Sequence, residues 1–271
     1  MNNAISRMVP SFIGRFVDEF TDGQTDGGND DIFHVILLGQ SKALGVDSHH
    51  ASDSIYPTIL PAPTFSNQAP SMPDTGLRSG SAATALVPLV ETLEPGPGSQ
   101  NVGETLCTGI ALGLQDTNLR VVYSVSALNG GRYGSIQQGS ATHTDMLNTV
   151  NAIKTLADAE GVGYRVLCAV VMHGETDQST RQPDYDTNII QWQIDVDTDV
   201  KAITGQSQGI PFFMTQPTTS LPSDNLIYPD LLTPIEQRRL QSFRLRRLVG
   251  WQDGRLSVPI ISIFLLMHSA I

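Results

Sequence analysis

The chain has 271 residues, 40% of them hydrophobic, which is enough for one large core. Sixteen Lys and Arg face 27 Asp and Glu, a formal net charge of -11. Such a surface repels phosphate backbones and anionic membranes and argues against nucleic-acid binding. The two cysteines, Cys107 and Cys168, can build neither a disulfide framework nor a Cys-based metal site, and Cys168 sits in an apolar run as a buried thiol would.

At the start, Ile5, Met8, Val9, Phe12, Ile13, Phe16, Val17 and Phe20 recur at steps of three and four. That spacing predicts an amphipathic helix over residues 1–20 whose stripe must be covered, either by its own domain or by a partner subunit or larger assembly. Charges interrupt the stripe, so it is not a secretory signal. Residues 21–31, TDGQTDGGNDD, read as a flexible linker. Everything from 32 to 271 reads as one domain.

Within that domain Phe33 to Leu38 is a short apolar run ending at Gly39, hence a buried strand. Residues 47–80 are rich in Pro, Ser and Asp and read as a long surface loop. Leu119 to Val125 is a second strand. Met146, Leu147, Val150, Ile153 and Ala157 form a helix face stopped by Gly161. Tyr164 to Met172 is a third strand. Ile189, Trp192, Val196, Val200 and Ile203 form another helix face, stopped by Gly205. Pro211 to Thr215 is a short strand, residues 234–248 look helical and basic, and Val258 to Met267 looks like a last strand. That last run is about ten residues, against the ~20 needed to span a bilayer. The expectation is a soluble protein without signal peptide or membrane span, in a compartment the sequence leaves open (cytoplasmic or virion-associated).

Strands apolar throughout, alternating with amphipathic helices, predict an α/β fold: a three-layer α/β/α sandwich on a mostly parallel sheet. In such sheets ligands bind beyond the carboxyl ends of the strands. There the sequence places Gly39-Gln40-Ser41-Lys42 after the first strand, Leu128-Asn129-Gly130-Gly131 after the second, and His173-Gly174-Glu175-Thr176-Asp177 after the third. Taken singly, a Gly-x-Ser turn is most simply a helix N-cap and a Gly-Gly pair a tight turn. Their order and spacing carry more.

These three segments resemble blocks I, II and III of SGNH hydrolases, most closely the branch of sialate O-acetylesterases and plant-type acetylxylan esterases as found in bacterial and phage proteins. Asn101-Val102-Gly103-Glu104-Thr105 and the stretch from Thr204 to Gln216 resemble the same branch. The similarity covers roughly residues 33–217. It implies a serine esterase that removes acyl groups, acetyl above all, from a carbohydrate, with no metal or organic cofactor. It further implies Ser41 as nucleophile, with Gln40, Gly131, His173 and Glu175 as oxyanion and substrate-binding groups. The donors would be the backbone N–H groups of Ser41 and Gly131 and the side chain of residue 173. Glu175 and Asp177 would brace the loop.

Two positions depart from the family pattern. Residue 173 is His where the branch usually has Gln, and a neutral imidazole still offers one N–H. The C-terminal Asp-x-x-His block is not recognisable. His268, after the last strand on what reads as the correct side of the sheet, is the remaining candidate for the base, but Leu265 stands where the aspartate belongs. This leaves as alternatives a catalytically impaired SGNH scaffold that binds glycans, or an assembly protein of the virion or tail type. The other chemistry-bearing clusters read blandly. Asp195, Asp197 and Asp199 lack the Gly and Glu of a calcium loop and form a solvated helix face. His49-His50 is a surface loop pair, and the arginines between 238 and 247 form a basic helix face.

Overall fold

In the computed structural model the described residues are 30–46, 70–91, 94–95, 101–114, 119–179, 184–215 and 263–266. The N-terminal helix, its linker up to residue 29, His49-His50, the basic segment 234–248 and His268 lie outside them. The linker expectation is corrected at its end: Asp31 is buried, accepting from the Gly163 amide at 2.9 Å and pairing with Arg165 at 3.1 Å.

The strands are β1 (Ile32–Gly39), β2 (Ser71–Pro73), β3 (Leu86–Pro88), β4 (Glu94–Pro95), β5 (Asn101–Val102), β6 (Arg120–Ala127), β7 (Tyr164–Met172), β8 (Phe212–Thr215) and β9 (Ile263–Leu266). The helices are α1 (Ser41–Leu44), α2 (Leu106–Leu114), α3 (Tyr133–Ile136), α4 (Ala141–Glu160), α5 (Glu175–Ser179) and α6 (Tyr185–Thr204). Seven strands form one sheet in the order β3-β2-β6-β1-β7-β8-β9, and β4 pairs with β5 apart from it. The five strands from β2 to β8 run parallel, while β3 and β9 are antiparallel edges. The chain is thus an α/β protein with a mostly parallel sheet.

β1 is buried at every position because both of its faces are covered. Alternation sends Val35 and Leu37 to one face, where they pack with Ala43, Leu44, Cys107, Ala111 and Tyr123 of α1, α2 and β6. Ile36 and Leu38 point to the other, against Met146 and Val150 of α4 and Ile189, Trp192 and Val196 of α6. These helices bury the stripes that their spacing predicts, each large side chain contributing roughly 1.5–3 kcal/mol of apolar transfer. Both end where the sequence indicates, on Gly161 and Gly205 in the left-handed conformation. Ser140 caps α4 by accepting from the His143 amide.

One irregularity matters. Between His34 and Val35 of β1 the register to β7 jumps from Val166 to Cys168, so Leu167 is an extra residue. This is a β-bulge, and it puts Leu167 and Cys168 on the same face of the sheet.

A polar seam interrupts the α4 face. His34 lies between Tyr164 Oη, 2.7 Å from Nδ1, and Ser124 Oγ, 2.7 Å from Nε2. It separates the cluster of Ile32, Val122, Ile153 and Ala157 from the larger one around Trp192.

The described residues correct several expectations. β2 falls inside the predicted 47–80 loop. The short strands β3 to β5 and helix α2 were not anticipated. Asp197 and Asp199 are not a solvated face: Asp197 accepts from the Ile210 amide at 2.7 Å and pairs with Lys201, and Asp199 Oδ2 lies 2.8 Å from His143 Nε2. No helix among the described residues is long and apolar enough to cross a membrane.

Candidate active site

The three sequence blocks leave the sheet at one level. Gly39 of β1 pairs with Ala127 of β6 on one side and Met172 of β7 on the other. The ladder continues one step further: the Leu128 amide donates to Gly39 O at 3.1 Å and the Gln40 amide to Met172 O at 3.0 Å. The chain from β1 passes to one side of the sheet through β2 and β3. From β6 it crosses to the other side at β7, so the switch in strand direction falls at β1, where crevices form in open α/β sheets.

Ser41 begins α1 directly after β1 and is half-buried. The tight exit depends on Gly39, whose φ is +143° and at which an added Cβ would lie 2.0 Å from the Met172 carbonyl oxygen. No side chain fits there. As a first-turn residue of α1, Ser41 has an N–H with no carbonyl to reach inside its own helix. The far end of α1 closes on Gly45, left-handed at φ +73°.

The other expected donors are committed elsewhere. The Gly131 amide donates to Leu128 O at 2.8 Å, closing the turn that Gly130 shapes with φ +64°. His173 is buried, with Nε2 3.2 Å from Gly131 O and 3.4 Å from Asp177 Oδ2, and Nδ1 2.9 Å from Tyr185 Oη. The Gly131 carbonyl can only accept, so Nε2 carries the proton and Nδ1 accepts from the tyrosine. Burial pulls the His173 pKa below the ordinary imidazole value, against the opposite pull of Asp177 and the Gly131 carbonyl, and the ring is neutral near pH 7. The expectation that Gly131 N–H and His173 point at an oxyanion is therefore corrected: neither donor can serve an acyl oxygen without breaking its present bond. His173 is a strut between the β6 and β7 loops, stacked on Tyr185 and edge-on to Trp192.

This geometry predicts the outcome of two substitutions. Gln at 173 offers one donor and one acceptor, so His173→Gln keeps both bonds and unfolds within about 1 kcal/mol of the parent. His173→Leu leaves Gly131 O and Tyr185 Oη unpaired and costs about 1–3 kcal/mol per group. Urea unfolding checks both.

Asp177 braces as expected, its Oδ2 accepting from the Tyr133 amide at 3.1 Å. Gln40 is buried and its Oε1 meets the Thr176 amide at a long 3.5 Å, tying the first and third loops together. Glu175 differs. It is half-buried at the start of α5, and its Oε2 is buried without a hydrogen-bond partner in the described structure. An unpaired acceptor there is costly unless a donor from a ligand or from a segment outside the described residues reaches it.

Among the described residues no histidine stands ready to act as the base. His34 is fully enclosed in the seam. His143 is held by Asp199, and its buried Nδ1 has no partner among the described residues. The narrow gap it lines with Leu38, Ser126 and Trp192 has no room for a water molecule. His173 is spoken for. His268, the candidate left by the sequence, lies outside the described residues.

Among the described residues no group of three or more His, Cys, Asp and Glu is placed to hold a metal ion. No protein-family model matches the chain, and no curated protein matches it. A protein of Arabidopsis thaliana with a solved X-ray structure is similar at a TM-score of 0.47 and 15% identity, over 70% of this chain and 75% of that one.

Proposed function

We propose that the protein is a serine esterase of the SGNH type that removes acyl groups, acetyl first among them, from a carbohydrate. The observation that carries this reading is the common level of Gly39, Ala127 and Met172, which gathers three motif-bearing loops around Ser41. Ser41 Oγ would attack the ester carbonyl carbon while its proton passes to a base. The sugar oxygen leaves with a proton, and water then hydrolyses the acyl-serine. The amide of Ser41 would face the developing oxyanion, and the unpaired Oε2 of Glu175 would accept from a sugar hydroxyl.

The second reading, a glycan-binding or virion-type assembly scaffold without turnover, is favoured by one observation: every described histidine is enclosed or engaged. On the esterase reading the base would be a histidine outside the described residues, with His268 the candidate.

A fluorophosphonate probe, read by mass spectrometry, separates the readings. The esterase reading expects a single adduct on Ser41. No adduct on any serine, together with glycan binding, selects the scaffold instead.

A further inference from the structure

The turn that presents Ser41 is only four residues long and cannot hold itself, since a single helical turn has too few internal bonds to be stable. What holds it comes from outside. Its C-terminal end is clamped to the 101–108 segment: the Gly103 amide donates to Gly45 O at 2.9 Å, and Val46 bridges Val102. An added Cβ at Gly45 would lie 2.5 Å from Glu104 O, so the two backbones are in direct contact.

Arg78 lies across this junction. Its Nε donates to Leu44 O at 3.0 Å and its Nη2 to Gly103 O at 2.6 Å. Leu44 O is one of the terminal carbonyls that a helix cannot satisfy internally. The arginine is itself anchored, because the Val125 amide of β6 donates to the carbonyl of the preceding Leu77 at 2.7 Å. Behind it sits Glu91, almost fully buried, with Oε1 accepting from the Thr105 amide at 3.0 Å and from the Thr105 hydroxyl, and Oε2 from the Thr108 hydroxyl at 2.5 Å. Its carboxylate is close enough to feel the Arg78 charge, which offsets part of the cost of its burial.

We infer that Arg78 is a positioning residue for Ser41: its guanidinium locks the far end of the serine turn to the 101–108 segment and so fixes the direction of Oγ. The planar fork matters, since its two donors reach two carbonyls on different segments at once. A lysine ammonium at the same place is a single point on a flexible stem and holds one carbonyl firmly. This inference rests on the reading of Ser41 as the nucleophile, but the holding of the turn can be measured without it.

The test uses the full chain and its Arg78→Met and Arg78→Lys variants. Two readouts are taken: the rate of acetyl-ester turnover with fluorophosphonate labelling, and amide hydrogen exchange of residues 41–46. Misplacing the nucleophile by about 1 Å costs on the order of 10²-fold. Arg78→Met is therefore expected to lower kcat and labelling about 10²-fold with KM within about twofold, and Arg78→Lys to fall between it and the parent. Exchange at residues 41–46 is expected to rise at least ~10-fold in Arg78→Met, ahead of the rest of the sheet, as local opening requires. Should Arg78→Met not fold, Arg78→Lys carries the same comparison. Parent-like exchange at 41–46, or parent-like kcat in a folded Arg78 variant, overturns the inference. A parent chain that neither turns over nor labels overturns the esterase reading instead, and the exchange data then decide alone whether Arg78 holds the turn.

Discussion

Ser41→Ala is expected to bring acetyl-ester hydrolysis to the background rate while leaving the fold unchanged. In hydrolases of this chemistry, loss of the nucleophile costs up to about 10⁶ in kcat, far beyond any positioning effect. The fold survives because Ser41 is the first residue of α1 and half-exposed, with no side-chain partner that the sheet depends on. The alanine variant should match the parent in circular dichroism and in urea midpoint. Steady-state kinetics on p-nitrophenyl acetate make the check. Activity that persists in a folded Ser41→Ala chain removes Ser41 from the mechanism.

The second large effect is on stability and belongs to His34. Its enclosure, fully away from solvent, lowers its pKa from 6.5 to about 3. The unfolded chain protonates this residue below about pH 6.5 and the folded chain does not, so the unfolded state binds more protons across that window. Stability therefore falls as pH falls from 6.5 to about 3, by about 1.4 kcal/mol per unit. That is about 2 kcal/mol at pH 5 and about 5 kcal/mol at the bottom of the window, a large part of a typical folding free energy. The contribution is fully present above pH 6.5. Urea unfolding of the parent and His34→Gln at pH 7.5 and 5.0 isolates it, because the other titrating groups are common to both. The parent should lose about 2 kcal/mol more than the variant between the two conditions. Imidazole NMR of the folded parent gives an independent reading: a His34 ring that protonates near pH 6 contradicts the prediction whatever the variant does.

The parallel sheet and its two long helices were legible in the sequence because their signals are local and strong. β7 was read from Tyr164 to Met172 with both ends right, since a nine-residue run with a single charged member leaves little ambiguity. Both helix ends rested on Gly161 and Gly205, whose left-handed turns need that residue. What failed was non-local. β2, β3 and β5 are two or three residues long, and their strand character comes from the neighbour they pair with. Helix α2, LCTGIALGL, is apolar on nearly every side and shows no clean stripe. In the candidate site, the loops of Ser41, Gly131 and Glu175 could be placed at one edge of the sheet because each follows a strand end. The role given to His173 failed because a motif position does not say where a ring nitrogen points. Only the positions of Tyr185 and the Gly131 carbonyl, twelve and 42 residues away, decide that. Arg78 was missed altogether, since a single arginine at the edge of a polar loop carries no periodic signal.

The extra residue at Leu167 behaves as a phase shifter. Side chains along a strand alternate strictly, so inserting one residue inverts the parity of everything downstream. Val166 faces α6, Leu167 and Cys168 face the opposite way, and from Ala169 onward the parity is the one that sends Val171 inward beside Trp192. Met172 and the turn through His173 inherit that parity. A one-residue deletion at 167 would leave Val166, Cys168 and Ala169 opposite the same β1 residues and on the same faces as now, in an unbroken alternation. A residue added elsewhere in the strand without a second bulge would instead turn everything after it to the other face. The strand thus carries one residue it can lose without reversing its exit, a tolerance of length that is separate from any constraint on residue type.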